Sequence, residues 1–207
     1  IKCDVAAIGW GFTPDTTLAG TLGCKQIVAK DGSIVIAADE NQQSSVTGVF
    51  VAGEITGIGG SELSMAEGVI AGISAAKFVG FQVEVSKAHR KRRAKKQRFA
   101  NALIKSYPVK DGWKSWVHTD TIICRCEEVK LSDLNYAVDE LGATDSRTAK
   151  LFTRCGMGMC QGRTCGRSVV DLVAEHLNVS PTDTDRISAV NRPIITPISL
   201  GQLAAGE

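Results

Sequence analysis

Five of the seven cysteines stand in one window, as Cys124-x-Cys126 and, 28 residues later, Cys155-x4-Cys160, with Cys165 five further on. No other feature constrains the fold as much, because thiols at such spacings must converge on something. An odd count without a secretory leader argues against a disulfide framework, and clustered thiols in a reducing compartment more often bind metal. The expected compartment is the cytoplasm. Two ligand pairs on loops separated by helices suit a 2Fe–2S cluster. Each of its irons takes two bridging sulfides and two thiolates, so each loop can serve one iron. Cys124, Cys126, Cys155 and Cys160 are the expected ligands. Cys165 reads as a helical packing residue that could replace Cys160.

Local chemistry fits that reading. A Cys-x-Cys pair needs extended backbone to turn both sulfurs inward. Gly156-Met157-Gly158 relaxes the second loop, so backbone N–H groups can approach sulfur. A helix expected to start near Cys160 would aim its positive end at an anionic centre. Arg125, Arg154 and Arg163 beside the thiols would offset the charge of a reduced cluster. Other readings stay open. Tetrahedral zinc takes four cysteines, though its usual knuckles are C-x2–4-C. Cys155 and Cys160 could form a thiol–disulfide relay, and plain burial of five thiols is the blandest account.

The rest of the chain divides by texture. Residues 1–83 are rich in Gly, Ala, Val and Ile and read as α/β. Val5–Gly9 and Val49–Ala52 look like buried strands. Gln26–Ala29 and Ser33–Ile36 look like a hairpin turned at Asp31-Gly32, and Glu62–Phe78 is helical with a small-residue face. Ile1 to Val5 reads as a strand edge, as if cut from a longer chain. Residues 84–118 form a basic helical linker, with eight Lys or Arg between 87 and 98. No nucleic-acid motif accompanies that run. It reads as a solvated helix with Phe99, Ala100, Leu103 and Ile104 resting on the protein body, or as a docking surface for an acidic partner subunit. Trp113 and Trp116 are expected to pack at a domain junction.

Residues 119–178 read as all-helical. Leu131, Leu134, Val138 and Leu141 mark one helix capped by Ser132. A second is capped by Asp145 or Ser146 and ends near Arg154, and Val169 to Leu177 mark a third. Residues 179–207 read as an irregular strap. No apolar run reaches the roughly 18–20 residues that span a bilayer. The net charge of +2 implies no polyanion partner. His89, His118 and His176 are scattered, and no nucleophile–base or acid–base pair is evident.

Cys-Arg-Cys-Glu-Glu-Val at 124–129 and Thr-Arg-Cys-Gly-Met-Gly-Met-Cys-Gln-Gly-Arg-Thr-Cys at 153–165 closely resemble one group of flavoprotein subunits. These are the larger flavin subunits of opine oxidases, hydrogen cyanide synthase and multi-subunit proline dehydrogenases, whose small helical domain is similar to bacterioferritin-associated ferredoxins. Thr47-Gly48-Val49-Phe50-Val51-Ala52-Gly53-Glu54 resembles the second flavin motif of two-dinucleotide-domain flavoproteins, where a strand delivers a carboxylate to sugar hydroxyls. Ile8 to Pro14 resembles the strand leaving a pyridine-nucleotide-type domain, and Arg192 to Leu203 the family tail.

The resemblance implies a partial FAD/NAD(P)-type domain followed by a BFD-like 2Fe–2S domain. FAD would meet Gly53, Glu54, Gly59 and Gly60, with the wider superfamily's Asp replaced by Glu54. A first G-x-G-x-x-G fingerprint has no match here, so the FAD site would be incomplete. The implied role is electron transfer within a hetero-oligomeric amine or amino-acid dehydrogenase. The implied partners are small ferredoxin-like subunits beside a substrate-oxidising flavoprotein subunit. The alternative is a stand-alone ferredoxin-like module docking on a reductase or an iron-storage protein.

Overall fold

The computed structural model describes residues 2–5, 11–191 and 199–206. Most of Val5–Gly9, and all of Arg192–Ile198 in the tail motif, lie outside them. Val5 itself is exposed.

A short helix α1 (Thr17–Thr21) leads into the expected hairpin, β1 (Gln26–Val28) with β2 (Ile34–Ile36). The pairing is antiparallel, Gln26 opposite Ile36 and Val28 opposite Ile34. Its turn works because Asp31 accepts from the Ser33 N–H and Gly32 takes φ +78°, which Gly adopts without steric cost. All three residues of β2 are buried, and Ile36 packs with Ala19, Cys24 and Val51. Burying a side chain such as Ile36 stabilises by about 1.5–3 kcal/mol.

Val49–Ala52 is not a ladder strand. It makes one isolated antiparallel bridge, Gln43 to Phe50, and the Val51 N–H donates to Gln42 O at 2.9 Å. A single 3-10 turn, Glu54–Thr56, follows it. Helix α2 (Ser61–Phe78) has the expected span, but it buries Leu63, Ala66, Glu67 and Ile70 while Gly68 and Gly72 of the small-residue face stay exposed.

The basic stretch forms helix α3 (Lys87–Ser106), capped by the Ser86 hydroxyl, and it packs against α2. The body is met through charge as much as through apolar contact. Arg90 donates to Glu40 O and Asn41, Lys96 pairs with Glu62 at 2.9 Å, and Arg93 pairs with Glu67. Ala100 is buried, but Phe99 and Leu103 point outward, against expectation. Trp116, expected to pack, is 67% exposed.

The cysteine region is not all-helical. Strands β3 (Ile122–Cys124) and β4 (Val129–Lys130) pair before helix α4 (Leu131–Asp139). Asp133 closes the start of α4 by accepting from the Lys130 N–H at 2.8 Å, so the cap is not Ser132. Helix α5 (Ser146–Thr153) has Asp145 at its N-cap and ends at Arg154, in the left-handed region at φ +63°. Helix α6 (Gly166–His176) buries Val169, Val170, Leu172 and Val173. The tail is partly helical, with α7 (Asp183–Val190) and α8 (Leu200–Ala205) where an irregular strap was expected.

Ala137 and Ala149, both fully buried, let α4, α5 and α6 close on a core that includes Cys124, Cys155 and Cys165. This core leans on the hairpin region: Arg167 reaches Asp31 O and Arg163 reaches Thr17.

Candidate metal centre and flavin-facing turn

Strand β3 ends at Cys124, which is 1% exposed. The turn that follows puts Glu128 at φ +53° and reverses the chain into β4, so Cys126 faces outward at its bend. Cys155 follows the left-handed Arg154 directly, and its own N–H donates to Thr153 Oγ1 at 3.2 Å. Gly156, at φ +79°, then aims its N–H at Cys124 Sγ, 3.3 Å away.

Three sulfurs, those of Cys124, Cys155 and Cys165, lie within 4.8 Å of one another and are buried. The other two thiols lie nearer the surface, Cys126 exposed and Cys160 half-buried, and Cys126 is among the groups that act on the Cys160 thiol. The two loops therefore meet at Cys124 and Cys155 inside, with Cys126 and Cys160 on the outer side. Cys165 backs Cys155. It stands at the start of α6, which begins at Gly166 and not near Cys160. Tight turns at Gln161 (φ +54°) and Gly162 (φ +78°) occupy the space between.

The surroundings treat the two groups of thiols differently. The Cys155 thiol is pushed up by its hydrogen bond with Cys165, then by burial and by the neighbouring sulfurs. At Cys160 burial opposes ionisation, yet the N–H of Thr164, the Thr164 hydroxyl, Cys126 and the N–H of Gly162 together hold the thiol below its ordinary value.

These groups fit an iron–sulfur centre. Soft sulfur donors stand free of disulfides, three of them buried, with an N–H already directed at one of them. The approach is tight: a Cβ on Gly158 would lie 2.3 Å from Cys126 Cβ. Arg154 Nε donates to Glu127 at 2.9 Å, so that cation is shared with a carboxylate between the ligand loops. A cavity of about 400 Å³ reaches Cys155 and Cys165 from the side of Arg147, Lys150 and Asn191.

At the expected flavin motif, Gly53 has φ +85° and ψ −152°, a region essentially restricted to glycine. Glu54 is exposed, and its carboxylate has no hydrogen-bond partner among the described residues. Gly57 (φ +137°) and Gly60 (φ +78°) have open space where a Cβ would stand, and Gly60 precedes α2 without a side-chain cap. The open space at Gly57 and Gly60, beside the exposed Glu54 carboxylate and the start of α2, fits the polar part of a dinucleotide. Gly59 lies deeper, against Leu63.

A buried carboxylate that sequence reasoning missed lies beneath this turn. Glu67 Oε2 accepts from the Gly53 N–H at 3.0 Å and from Thr56 Oγ1 at 2.8 Å, while Oε1 accepts from Arg93. Its only sequence signal was an acidic residue at helical spacing with Leu63, Ala66 and Ile70, the face that α2 buries.

Residues 122–175 match the BFD-like [2Fe-2S] binding domain family, and residues 35–81 match the family described as glucose inhibited division protein A. The A subunit of opine oxidase from Rhizobium meliloti (strain 1021) is 32% identical over 94% of this chain and 42% of its own length. Hydrogen cyanide synthase subunit HcnB of Pseudomonas aeruginosa is 34% identical over 80% of this chain and 36% of its own. This chain thus spans about two fifths of the curated relatives it matches. The crystal structure of L-proline dehydrogenase from P. horikoshii has the same fold over 93% of this chain and 37% of that one, with a TM-score of 0.64 at 22% identity. No helix among the described residues is long and apolar enough to cross a membrane.

Proposed function

We propose that this chain, which carries a BFD-like [2Fe-2S] domain beside a flavin-type element and resembles the A subunit of opine oxidase, is the electron-transfer portion of one subunit in a hetero-oligomeric amine or amino-acid dehydrogenase. Its substrate would be of the opine, proline or glycine type. Hydride removal from the carbon that bears the nitrogen, which oxidises the C–N bond, belongs to a partner flavoprotein subunit, with small ferredoxin-like subunits as further candidate partners. Free thiols suit the reducing conditions of the cytoplasm.

The observation that carries this reading is the convergence of the ligand loops, Cys124 beside Cys155 inside with Cys126 and Cys160 on the outer side, in a domain that packs on the β1–β2 hairpin. Those four cysteines would hold the cluster, and Gly53, Glu54, Gly59 and Gly60 would contribute one side of the FAD site. When bound, the two cofactors supply the redox chemistry: one electron at a time at the cluster, one or two at the flavin. The chain's own part is to hold and shield them. Apolar packing by Val129, Leu134 and Val169 keeps water from the inner sulfurs, and N–H groups from Gly156, Gly162 and Thr164 stabilise thiolate charge.

Anaerobic purification followed by iron, acid-labile sulfide and visible spectroscopy tests the proposal. Two irons and two sulfides in a reddish-brown protein support it. A colourless protein that holds zinc, or no metal, would sink it.

A further inference from the structure

We infer that Glu67 is a positioning residue for the flavin-facing turn, and that Arg93 of the basic helix α3 completes it. On this account α3 is a working part of the cofactor site and not a tether. The inference rests on the proposed flavin role of Gly53 and Glu54, and it deepens that role by naming what holds them.

Glu67 is 1% exposed, and its two oxygens face opposite ways. Oε2 takes the Gly53 N–H at 3.0 Å and lies 2.8 Å from Thr56 Oγ1, holding both ends of the turn that presents Glu54. Oε1 takes Arg93, with Nε and Nη2 each at 3.1 Å. Gln42, fully buried, joins the same knot. With its amide oriented to satisfy both neighbours, it donates to Val51 O at 2.9 Å and accepts from Arg93 Nε at 3.0 Å. One guanidinium thus ties α3 to the segment entering the turn and to the carboxylate beneath it.

The energetics make this arrangement conditional on α3. A carboxyl group this deep needs a charged partner and hydrogen bonds in place of its lost hydration. Arg93 is the cation in contact with it, reaching in from a position 29% exposed. Gly53 in turn occupies a backbone region that persists only where its surroundings impose it, and its N–H is held by Glu67. Loss of Arg93 removes the partner of Glu67 Oε1 and the tie to Gln42, so the turn that Glu67 holds should open more readily. Lys96 to Glu62 and Arg90 to Glu40 O hold α3 in register for this contact.

The test compares Glu67→Gln, Arg93→Met and Arg93→Lys in the whole flavin-containing assembly. Amide hydrogen exchange at residues 53–57, FAD dissociation and iron content are measured on each. Arg93→Met should speed exchange of the Gly53 and Thr56 amides and weaken FAD binding, each by about tenfold, equivalent to 1.4 kcal/mol. Iron content should not change. Arg93→Lys should recover part of both losses, because an ammonium keeps the charge without the two-pronged geometry. Glu67→Gln should fall between the two. Faster exchange spread evenly over the chain would reduce the pair to ordinary structural support and overturn the inference. Unchanged FAD affinity in Arg93→Met would overturn the positioning role alone. A parent assembly with no FAD at this turn would overturn the flavin reading itself.

Discussion

The backbone N–H of Gly156 donates to Cys124 Sγ across the two ligand loops, at 3.3 Å. Such a contact needs the left-handed backbone of Gly156 and the absence of any side chain two residues on, where Gly158 lies against Cys126. An alanine at 158 would put its Cβ 2.3 Å from Cys126 Cβ and 3.1 Å from Glu127 Oε1. Overpacking of this kind costs about 1–3 kcal/mol. Gly158→Ala should fold and yet purify with less iron than the parent, as iron and sulfide analysis would reveal. Full iron occupancy would mean that the loops have slack which their close packing does not suggest.

The cysteine series separates ligands from packing. Cys124→Ser, Cys126→Ser, Cys155→Ser and Cys160→Ser should each abolish the visible spectrum of the cluster. Cys165→Ala should keep it, with lower stability from the small cavity left beside Cys155 and Cys124. The reverse pattern at 160 and 165 would move the fourth ligand to the head of α6.

Arg154 is half of a mouth pair, Nε to Glu127 Oε2 at 2.9 Å, and its side chain is 67% exposed. The pair itself is therefore worth at most about 1 kcal/mol, but its charge faces the ligand loops. Arg154→Glu should leave the melting temperature within a few degrees and lower the cluster's midpoint potential. Adding Glu127→Arg should bring the potential back towards the parent value. A redox titration in which the potential stays put would remove the argument that the cation tunes the centre.

Asp145 caps α5, the helix that delivers Cys155, by accepting from the Thr148 N–H at 2.6 Å. That backbone bond, opposed by burial and helped by the Thr148 hydroxyl and Arg147, holds the carboxyl below its ordinary value of 3.8. A depressed acid stabilises the fold fully above its unfolded value and loses the contribution as pH falls through the lower folded one. Asp145→Ala should cost about 1 kcal/mol near neutrality. Urea titrations should show the gap to the parent intact at pH 6 and shrinking below about pH 3.8.

Local sequence signals found most elements, and distance decided what they missed. The Asp31-Gly32 hairpin, helix α2, the Asp145 cap and the left-handed stop at Arg154 all follow from neighbours in sequence. The β3–β4 pair escaped because its turn uses Glu128 in the left-handed region, with no Gly or Asn to announce it. Helix α6 was expected too early, because Cys160 to Cys165 looks helical in composition while Gln161 and Gly162 turn. The Ser199–Gln202 capping box of α8 was legible but masked by the nearby Pro193 and Pro197. At the metal centre, spacing named all five thiols but could not say which lie deep. The Glu67–Arg93 pair joins two helices through residues 26 apart in sequence, and no local pattern reports that.

The link between α6 and α7 gives an asymmetric test. Arg186 Nη2 meets Asp171 Oδ1 at 2.7 Å, with side chains 20% and 16% exposed, and Arg186 Nη1 is buried without a partner among the described residues. Removing Asp171 leaves a second guanidinium edge unpaired in a mostly dry site, whereas removing Arg186 leaves Asp171 within the field of Lys114. A buried group stripped of its charged partner costs about 1–3 kcal/mol. Asp171→Ala should therefore sit at the upper end of that range, and Arg186→Met should be milder. The comparison is read from urea midpoints at constant slope, since an unchanged slope marks a change in stability alone. Because α6 carries Cys165 at its head and α7 flanks the cavity beside it, Asp171→Ala should also release iron faster under chelator than Arg186→Met. Equal midpoints for the two variants would show that the guanidinium finds another acceptor once Asp171 is gone.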